Sequence, residues 1–165
     1  MEPGLIRQGL PAEPGVYVLW LRLSRPRRLA VPRLGAPLLE PGLYGYVGSA
    51  RGPGGLSARL GRHLAGTGIP RWHVDHLRRV ARVASAWWWI TDSPAAEDAV
   101  AGALEVLPDL APAAPGFGAG DSRRATHLFF ARAVPDRGAL ERLLKVLCDG
   151  GEAVPGIPGL PPRGR

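Results

Sequence analysis

The class of the fold follows first from one stretch, Gly15-Val16-Tyr17-Val18-Leu19-Trp20-Leu21-Arg22-Leu23. Its residues are β-branched, aromatic and almost all apolar, which predicts a buried β-strand. A second aromatic run, Leu43-Tyr44-Gly45-Tyr46-Val47-Gly48, predicts a strand packed beside the first. The segment between them, from Arg27 to Leu34, predicts a more exposed strand. We therefore expect two neighbouring strands that each carry a tyrosine.

Downstream of these strands, apolar spacing and turn residues predict helices and strands in irregular order. The first predicted elements are a helix from Leu56 to Gly66, a short helix from His73 to Arg82 with His73, His76, Leu77 and Val80 on one face, and a strand from Val83 to Ile90. A helix capped by Ser93 and begun by Pro94 follows and ends near Leu107, and a loop covers 108–120. The last predicted elements are a strand from His127 to Ala131 and a helix from Asp136 to Leu147 with Leu140, Leu143, Leu144 and Leu147 inward. This mixture predicts an α/β or α+β domain with a small mixed or antiparallel sheet flanked by helices. We expect one domain over residues 1–148 and a disordered Gly- and Pro-rich tail over 149–165.

Composition limits the kinds of protein that the chain can be. Its 165 residues suit one domain, and 45% hydrophobic residues can fill a core despite 23 Gly and 18 Pro. The net charge of +7 favours a polyanionic partner, although a codon bias toward Arg, Ala, Gly and Pro explains it equally well. A single cysteine, Cys148, excludes an intrachain disulfide and any multi-cysteine metal site. Because no membrane span or signal-like start is present, we expect a cytoplasmic protein.

Glu97 is the acidic residue whose position is most informative. On a helix it shares a face with Val100, Ala101 and Leu104, whereas Asp98 and Glu105 lie toward the other side. A carboxylate within an apolar stripe costs several kcal/mol unless it is paired, protonated or bound to a metal. The alternative is an acid in the first turn that the helix dipole favours.

Arg59 and His63 lie four residues apart, at the edge of the stripe formed by Leu56, Leu60 and Leu64. This placement predicts that both side chains face a cleft. A guanidinium matches two phosphate oxygens, and an imidazole can donate to the same group or exchange a proton near neutral pH. An arginine that extends its head to solvent and a surface histidine remain the alternatives.

Other polar residues are ambiguous from the sequence alone. Tyr17 and Tyr46 are ordinary strand residues, and most buried tyrosines only satisfy a hydroxyl group. His73, Asp75 and His76 form a weak ligand set for zinc, and packing or phosphate contacts explain the two histidines better.

Taken together, these residues form an ordered pattern. Gly15-Val16-Tyr17 and Tyr46-Val47-Gly48, followed by Arg59, His63 and Glu97, resemble the motif set of the GIY-YIG nucleases. Over residues 10–132 the chain looks like the DUF123 branch of that superfamily, through Tyr46-Val47-Gly48-Ser49-Ala50, Gly54-Gly55-Leu56, Arg59-Leu60, Arg62-His63-Leu64, Trp72-His73-Val74-Asp75-His76-Leu77, Pro115-Gly116-Phe117-Gly118 and Thr126-His127-Leu128-Phe129. In that branch an insertion separates the two tyrosine motifs, and the segment from Arg27 to Pro41 corresponds to it.

The resemblance implies a role for each matching residue. Glu97 would hold one divalent cation, Mg²⁺ or Mn²⁺, and Arg59 and His63 would steady the scissile phosphate. Tyr17 would orient or deprotonate the attacking water with Tyr46 beside it, although an unperturbed tyrosine pKa of about 10 makes a poor base at neutral pH. The residues expected to contact DNA are Ser49, Arg62, His73, Asp75, Arg78, Arg123, Arg124 and His127.

The chain departs from the family pattern at two points. Many GIY-YIG nucleases carry an Asn late in the module, whereas this chain contains none, and Asp121, Ser122 and His127 are the alternatives. Members of the DUF123 branch often have cysteines in the loop after Gly-Phe-Gly, where Ser122 and Arg124 stand here. Any role of those cysteines is absent from this protein.

The function implied by the resemblance is a metal-dependent DNA endonuclease of DNA repair, acting on a structural or damaged feature such as an abasic site. Association with the nucleoid in the cytoplasm and with repair proteins would follow. The alternative is a nucleic-acid-binding module without catalysis, in which exposed arginines hold phosphates: Arg78, Arg79, Arg123 and Arg124. A third hypothesis is a partner protein that uses the Trp87-Trp88-Trp89 strand as an interface, although core packing explains those residues more simply.

Overall fold

The aromatic and β-branched runs form a five-stranded sheet in a computed structural model that describes residues 9–149, with side chains described through Lys145. In chain order the elements are β1 (Gly15–Leu23), β2 (Arg27–Arg28), β3 (Leu38–Leu39), β4 (Gly42–Ala50), α1 (Gly55–Ala65), α2 (His73–Arg78), β5 (Arg82–Ile90), α3 (Ala96–Val106), β6 (Leu110–Pro112), β7 (Leu128–Ala131) and α4 (Arg137–Asp149). The predicted α+β class is confirmed.

The main sheet is antiparallel, with strand order β5-β1-β4-β7-β6. β1 pairs with β4 along its whole length, and Tyr17 lies opposite Gly48 in this register. The prediction of two neighbouring strands that each carry a tyrosine is confirmed.

Alternation along β1 divides the core between the two faces of the sheet. Tyr17 and Leu19 point to one face, which α1, α2 and the segment between β1 and β4 cover. Val16 and Val18 point to the other face, which α3 and α4 cover. Arg59 and Glu97 belong to helices that cover opposite faces of the sheet. A site that contains both residues must therefore lie beyond the ends of the strands, where the two helical layers meet.

The insertion between the tyrosine strands differs from the predicted single strand over Arg27 to Leu34. Only Arg27 and Arg28 pair, in a two-residue ladder with β3, and the chain then turns tightly between Val31 and Gly35. Pro32 stands in that turn, and proline has no N–H group for a ladder. Leu29 and Val31 are buried, so the insertion adds to the core.

Two predicted helix boundaries are also wrong. α2 ends at Arg78 because β5 begins at Arg82 and pairs with β1, and long-range pairing overrides local helix propensity. Its buried residues are Val74 and Leu77, whereas Val80 is exposed. α3 begins at Ala96 rather than Pro94, and the Ser93 hydroxyl accepts a hydrogen bond from the Ala95 N–H group ahead of the helix.

The C-terminal part adds one strand that the sequence did not predict. Within the predicted loop 108–120, β6 pairs with β7 as a short edge strand that contains a proline, which weakens its sequence signal. On α4, Leu140 and Leu144 are fully buried and Leu143 packs against them, as predicted, while the side chain of Leu147 lies outside the described part. α4 ends at Asp149, and the predicted disordered tail over 150–165 lies outside the described residues.

None of the helices within residues 9–149 has the length and apolar character needed to cross a membrane.

Candidate active site

A cleft of about 720 Å³ lies where the two helical layers meet. Its lining combines residues from both helical layers, from the central strands and from the loop before β7: Arg33, Tyr46, Ser49, Arg51, Arg59, Arg71, Trp72, His73, Pro94, Glu97, Asp98, Gly118, Gly120, Asp121, Ser122 and His127. The fold therefore brings together Tyr46, Arg59 and Glu97, which are far apart in the sequence.

Tyr17 and Tyr46 form a tilted aromatic pair at this cleft, with ring centroids 6.3 Å apart and an angle of 52° between the ring planes. Tyr46 lines the cleft, whereas Tyr17 is fully buried behind it. The hydroxyl of Tyr17 lies over Gly48, where a Cβ atom would collide with it. The glycine of the Tyr46-Val47-Gly48 motif therefore makes room for the tyrosine of the other motif.

Both tyrosines are poor bases in this environment. Burial is the main reason why the pKa of Tyr17 lies well above 10.0, and burial also raises the pKa of Tyr46. The guanidinium of Arg59 lowers both pKa values without reversing the shift. The Tyr17 hydroxyl is buried and makes no hydrogen bond of normal geometry to another described residue. In this protein the two phenols are neutral hydrogen-bond donors at neutral pH, which does not favour the predicted deprotonation of water by Tyr17.

Arg59 faces the cleft from α1, as predicted. Its guanidinium carbon lies 4.5 Å from the ring centroid of Trp72, and that of Arg62 lies 4.8 Å from the same centroid. Such stacking restricts a guanidinium without using its N–H groups. The Nε atom of Arg59 is buried and has no partner among the described residues. Trp72 is a residue that sequence reasoning missed, because nothing in the sequence shows that it approaches α1.

His63 does not face the cleft, contrary to the prediction. It is almost completely buried, because α2 packs over this turn of α1. Its Nδ1 atom lies 2.9 Å from Oδ1 of Asp75. Burial is the largest influence on the pKa of His63 and lowers it below 6.5, although the bond to Asp75 acts in the opposite direction.

Asp75 was predicted to contact DNA, but its carboxylate is turned into the protein. Its Oδ2 accepts hydrogen bonds from the backbone N–H groups of Arg71 and Trp72 and from the guanidinium of Arg62. Burial alone would raise the pKa of Asp75, but the bond from His63 and the two backbone bonds outweigh it and hold that pKa far below its usual range. Asp75 is therefore an ionised group that orients the His63 imidazole through a hydrogen bond within the protein.

Glu97 lies in the first turn of α3 and reaches the cleft. Its Oε1 atom lies 2.9 Å from Nδ1 of His127, a buried residue just before β7. Burial raises the pKa of Glu97, but hydrogen bonds from His127 and Ser49 outweigh it, and the net pKa is below 4.5. Val100, Ala101 and Leu104 are buried, as the helical stripe predicted, and the carboxylate at the start of that stripe is paired and ionised.

Asp98 also lines the cleft, whereas the sequence placed it on the other side of the helix. The first turn of α3 projects over the cleft, so two successive residues reach it. Oδ1 of Asp98 lies 3.5 Å from Nε2 of His127 and accepts a hydrogen bond from the Ser122 hydroxyl. Of the three alternatives for the missing Asn, His127 contacts both carboxylates, Ser122 contacts Asp98, and Asp121 lines the cleft.

Arg62 was predicted to contact DNA, but it lies outside the cleft lining, and its guanidinium donates to Asp75 and to the carbonyl of Ile69. Five further predicted DNA contacts fall into two groups. Ser49, His73 and His127 line the cleft, and His73 accepts a hydrogen bond there from the Gly118 N–H group. Arg123 is exposed outside the lining, and Arg124 is paired with Glu105 on the surface.

Arg78 is turned inward, which gives the predicted DNA contact no geometric support. Its three donor nitrogens reach the backbone carbonyls of His63, Leu64 and Ala81. The burial that accompanies these bonds lowers the pKa of the Arg78 guanidinium.

The lining of the cleft carries charges of both signs. Its guanidinium groups belong to Arg33, Arg51, Arg59 and Arg71, and its carboxylates belong to Glu97, Asp98 and Asp121. Sequence reasoning missed Arg33, Arg51 and Arg71, because each stands in an irregular segment where periodicity assigns no face. Hard oxygen donors next to guanidinium groups can hold a divalent cation beside a phosphate.

Comparisons with known proteins give the family but no characterised relative. Neither the comparison with curated proteins nor the comparison with solved structures found a match. A family model described as a domain of unknown function, DUF123, matches residues 16–147. This range contains both tyrosines, the whole cleft lining and the hydrogen-bonded pair of His63 and Asp75. Because the match covers most of the chain, the protein belongs to the DUF123 family.

Proposed function

We propose that this domain is a metal-dependent endonuclease that hydrolyses a phosphodiester bond of DNA, with a site of the GIY-YIG type. The observation that carries the proposal is the convergence of Tyr46, Arg59 and Glu97 on one cleft from separate segments. The order of these residues in the sequence resembles the nuclease motif set, and their common location supports a shared chemical role.

The basic residues of the cleft suit a nucleic-acid strand. Arg33, Arg51 and Arg71 are exposed and line it with Arg59, and no hydrogen bond or ion pair to a described residue occupies their guanidinium groups. Guanidinium groups bind phosphate oxygens through paired N–H donors. A backbone with regularly spaced phosphates would satisfy several of them at once.

The carboxylates of the cleft are oxygen donors of the kind that bind Mg²⁺ or Mn²⁺. Glu97 is ionised, one quarter of its side chain is exposed to the cleft, and Asp98 stands beside it. Mg²⁺ is commonly held by one or two carboxylates together with waters and substrate phosphates. When bound, such a cation polarises the phosphoryl oxygen and stabilises the leaving oxygen. His127 and Ser49 would hold Glu97 in place for this task.

The other residues act on the substrate directly. Arg59, oriented by its stack on Trp72, would hold two oxygens of the scissile phosphate and offset the charge that grows on them. The Tyr46 hydroxyl would contact the attacking water, because its phenol is neutral and lines the cleft. Tyr17 supports Tyr46 from behind rather than contacting the substrate.

The preferred substrate in this proposal is DNA with an abasic site or a related structural feature. This preference rests on a resemblance between DUF123 modules and the protein modules that are fused to glycosylases of the endonuclease III type. Such an enzyme would act at the nucleoid in the cytoplasm together with repair proteins. The alternative remains a binding module that uses the same arginines without catalysis.

Cleavage assays with labelled DNA test the proposal. The substrates are a duplex with one abasic site, the intact duplex, a single strand and a branched junction, each with Mg²⁺, Mn²⁺ or EDTA. We expect metal-dependent nicking that prefers the abasic strand. Glu97→Gln should abolish cleavage and retain binding whose affinity falls with salt.

Glu105→Gln is the matched control, because Glu105 lies on the same helix, is exposed and pairs with Arg124 alone among the described residues. It should cleave like the wild type. Salt-sensitive binding without cleavage on every substrate would establish the binding module instead. Equal cleavage by wild type and Glu97→Gln would exclude the proposed role of this carboxylate.

A further inference from the structure

A buried imidazole lies next to the two tyrosines, and a partly buried carboxylate holds it there. His63 is 1% exposed, and its Nδ1 atom lies 2.9 Å from Oδ1 of Asp75. The other oxygen of Asp75 is held by two backbone N–H groups at 2.8 and 3.0 Å. The carboxylate is therefore fixed in orientation by the start of α2, and it fixes the imidazole in turn.

This contact determines which ring nitrogen carries the proton. An ionised carboxylate can only accept hydrogen bonds, so Nδ1 of His63 must be the donor. In a neutral imidazole the other nitrogen, Nε2, is then a proton acceptor. Nε2 is buried and has no partner within residues 9–149. The imidazole ring centroid lies 6.0 Å from that of Tyr17 and 6.5 Å from that of Tyr46.

We propose that Asp75 is a positioning residue that holds His63 as the proton acceptor for the tyrosine pair. The inference rests on the proposed nuclease function. As water attacks the phosphorus atom, its proton passes to the Tyr46 hydroxyl oxygen while the hydroxyl proton passes to Nε2 of His63. Because Nε2 has no partner among the described residues, this transfer requires the Tyr46 and His63 side chains to move within hydrogen-bonding distance. The new P–O bond forms as the bond to the leaving oxygen breaks. That oxygen takes a proton from solvent, and His63 later returns its proton to solvent.

This arrangement supplies the base that the tyrosines cannot supply alone. The groups that face His63 are Asp75 from α2, Arg59 and Arg62 from α1, Tyr17 from β1 and Tyr46 from β4. Burial and the two arginines lower the pKa of His63, and Asp75 raises it, with a net value below 6.5. The imidazole is therefore neutral at pH 7 and can accept a proton there.

Asp75→Asn tests the pair, because it keeps the volume and removes the charge that selects the tautomer. A positioned proton acceptor contributes about 10²-fold to 10⁴-fold to a rate, so we expect kcat to fall by at least about 10²-fold with little change in DNA binding. The acid limb of the pH profile should move to lower pH, because removal of Asp75 lowers the pKa of His63 further. A purely structural role of Asp75 would not shift this limb.

Asp136→Asn is the matched control, because Asp136 is exposed and accepts backbone hydrogen bonds at the start of α4, on the other face of the sheet. It should keep the wild-type pH profile. If Asp75→Asn does not fold, His63→Gln serves in its place, and loss of the acid limb is expected. Persistence of the wild-type limb in either variant would overturn the inference.

The ¹⁵N chemical shifts of the His63 imidazole give a second readout that does not depend on cleavage. We expect a protonated Nδ1 and an unprotonated Nε2 in the wild type at pH 7. The opposite tautomer would overturn the proton-acceptor role even if the enzyme cleaves DNA. Absence of cleavage with the expected tautomer would instead contradict the proposed nuclease function.

Discussion

Replacement of Arg59 by lysine tests whether the shape of the guanidinium matters as well as its charge. Lysine keeps the positive charge but loses the planar fork that can hold two phosphate oxygens. It also loses the flat stack on Trp72, where the guanidinium carbon now lies 4.5 Å from the ring centroid. The variant should therefore bind DNA through charge and fail to orient the scissile phosphate.

The size of the effect follows from these two losses. A hydrogen bond to a charged group contributes about 1.5–3 kcal/mol. A cation–π contact contributes about 0.5–1 kcal/mol at an exposed site, and lysine recovers part of it. Together the losses amount to about 2–4 kcal/mol of transition-state stabilisation. At 1.36 kcal/mol for each tenfold change, this predicts a cleavage rate lower by about 30-fold to 900-fold.

Single-turnover cleavage with excess Arg59→Lys enzyme measures this rate, and a salt titration in EDTA measures binding. The slope of log affinity against log salt should match the wild type, because the number of cationic groups is unchanged. Arg142→Lys, on the exposed face of α4, is the control and should retain the wild-type rate. A cleavage rate within threefold of the wild type would refute the proposal that the planar guanidinium of Arg59 orients the scissile phosphate. An equal loss of binding and cleavage would show that Arg59 serves ground-state binding alone.

Two further substitutions test the structural assignments. Gly48→Ala places a Cβ atom on the buried Tyr17 hydroxyl, so overpacking should lower the free energy of unfolding by about 1–3 kcal/mol in urea denaturation. Gly61→Ala on α1 meets only one side-chain atom at 3.8 Å and should be neutral or stabilising; equal stability of both variants would contradict the packing argument. Arg78→Ala removes three hydrogen bonds to backbone carbonyls and should cost about 2–4 kcal/mol of stability, with exposed Arg79→Ala as the control. A loss of DNA affinity by Arg78→Ala without a loss of stability would restore its predicted role as a DNA contact.

Local pattern determined the elements that carry the site. The apolar run in β1 and the aromatic run in β4 can satisfy their backbone groups and bury both faces only as neighbouring inner strands. The spacing of Leu56, Leu60 and Leu64 predicted α1. The apolar residues that follow Glu97 on one helical face, Val100, Ala101 and Leu104, predicted α3. Periodicity reports which face of an element is buried, so these elements could be predicted from the sequence alone.

Periodicity does not report which element covers a given face, and the tertiary structure decided every contact of that kind. His63 was expected in a cleft, yet α2 buries it against Asp75. Arg78 was expected on DNA, yet it binds three carbonyl groups of its own chain. His127 lies thirty positions from Glu97 in the sequence and 2.9 Å from it in the fold. The sequence by itself determined which residue types stand on which element, and only the packing of elements distant in the chain decided which of them face substrate and which support those that do. The physical reason is that a charged or polar side chain takes whichever partner long-range packing brings within hydrogen-bonding distance, and local spacing carries no information about that partner.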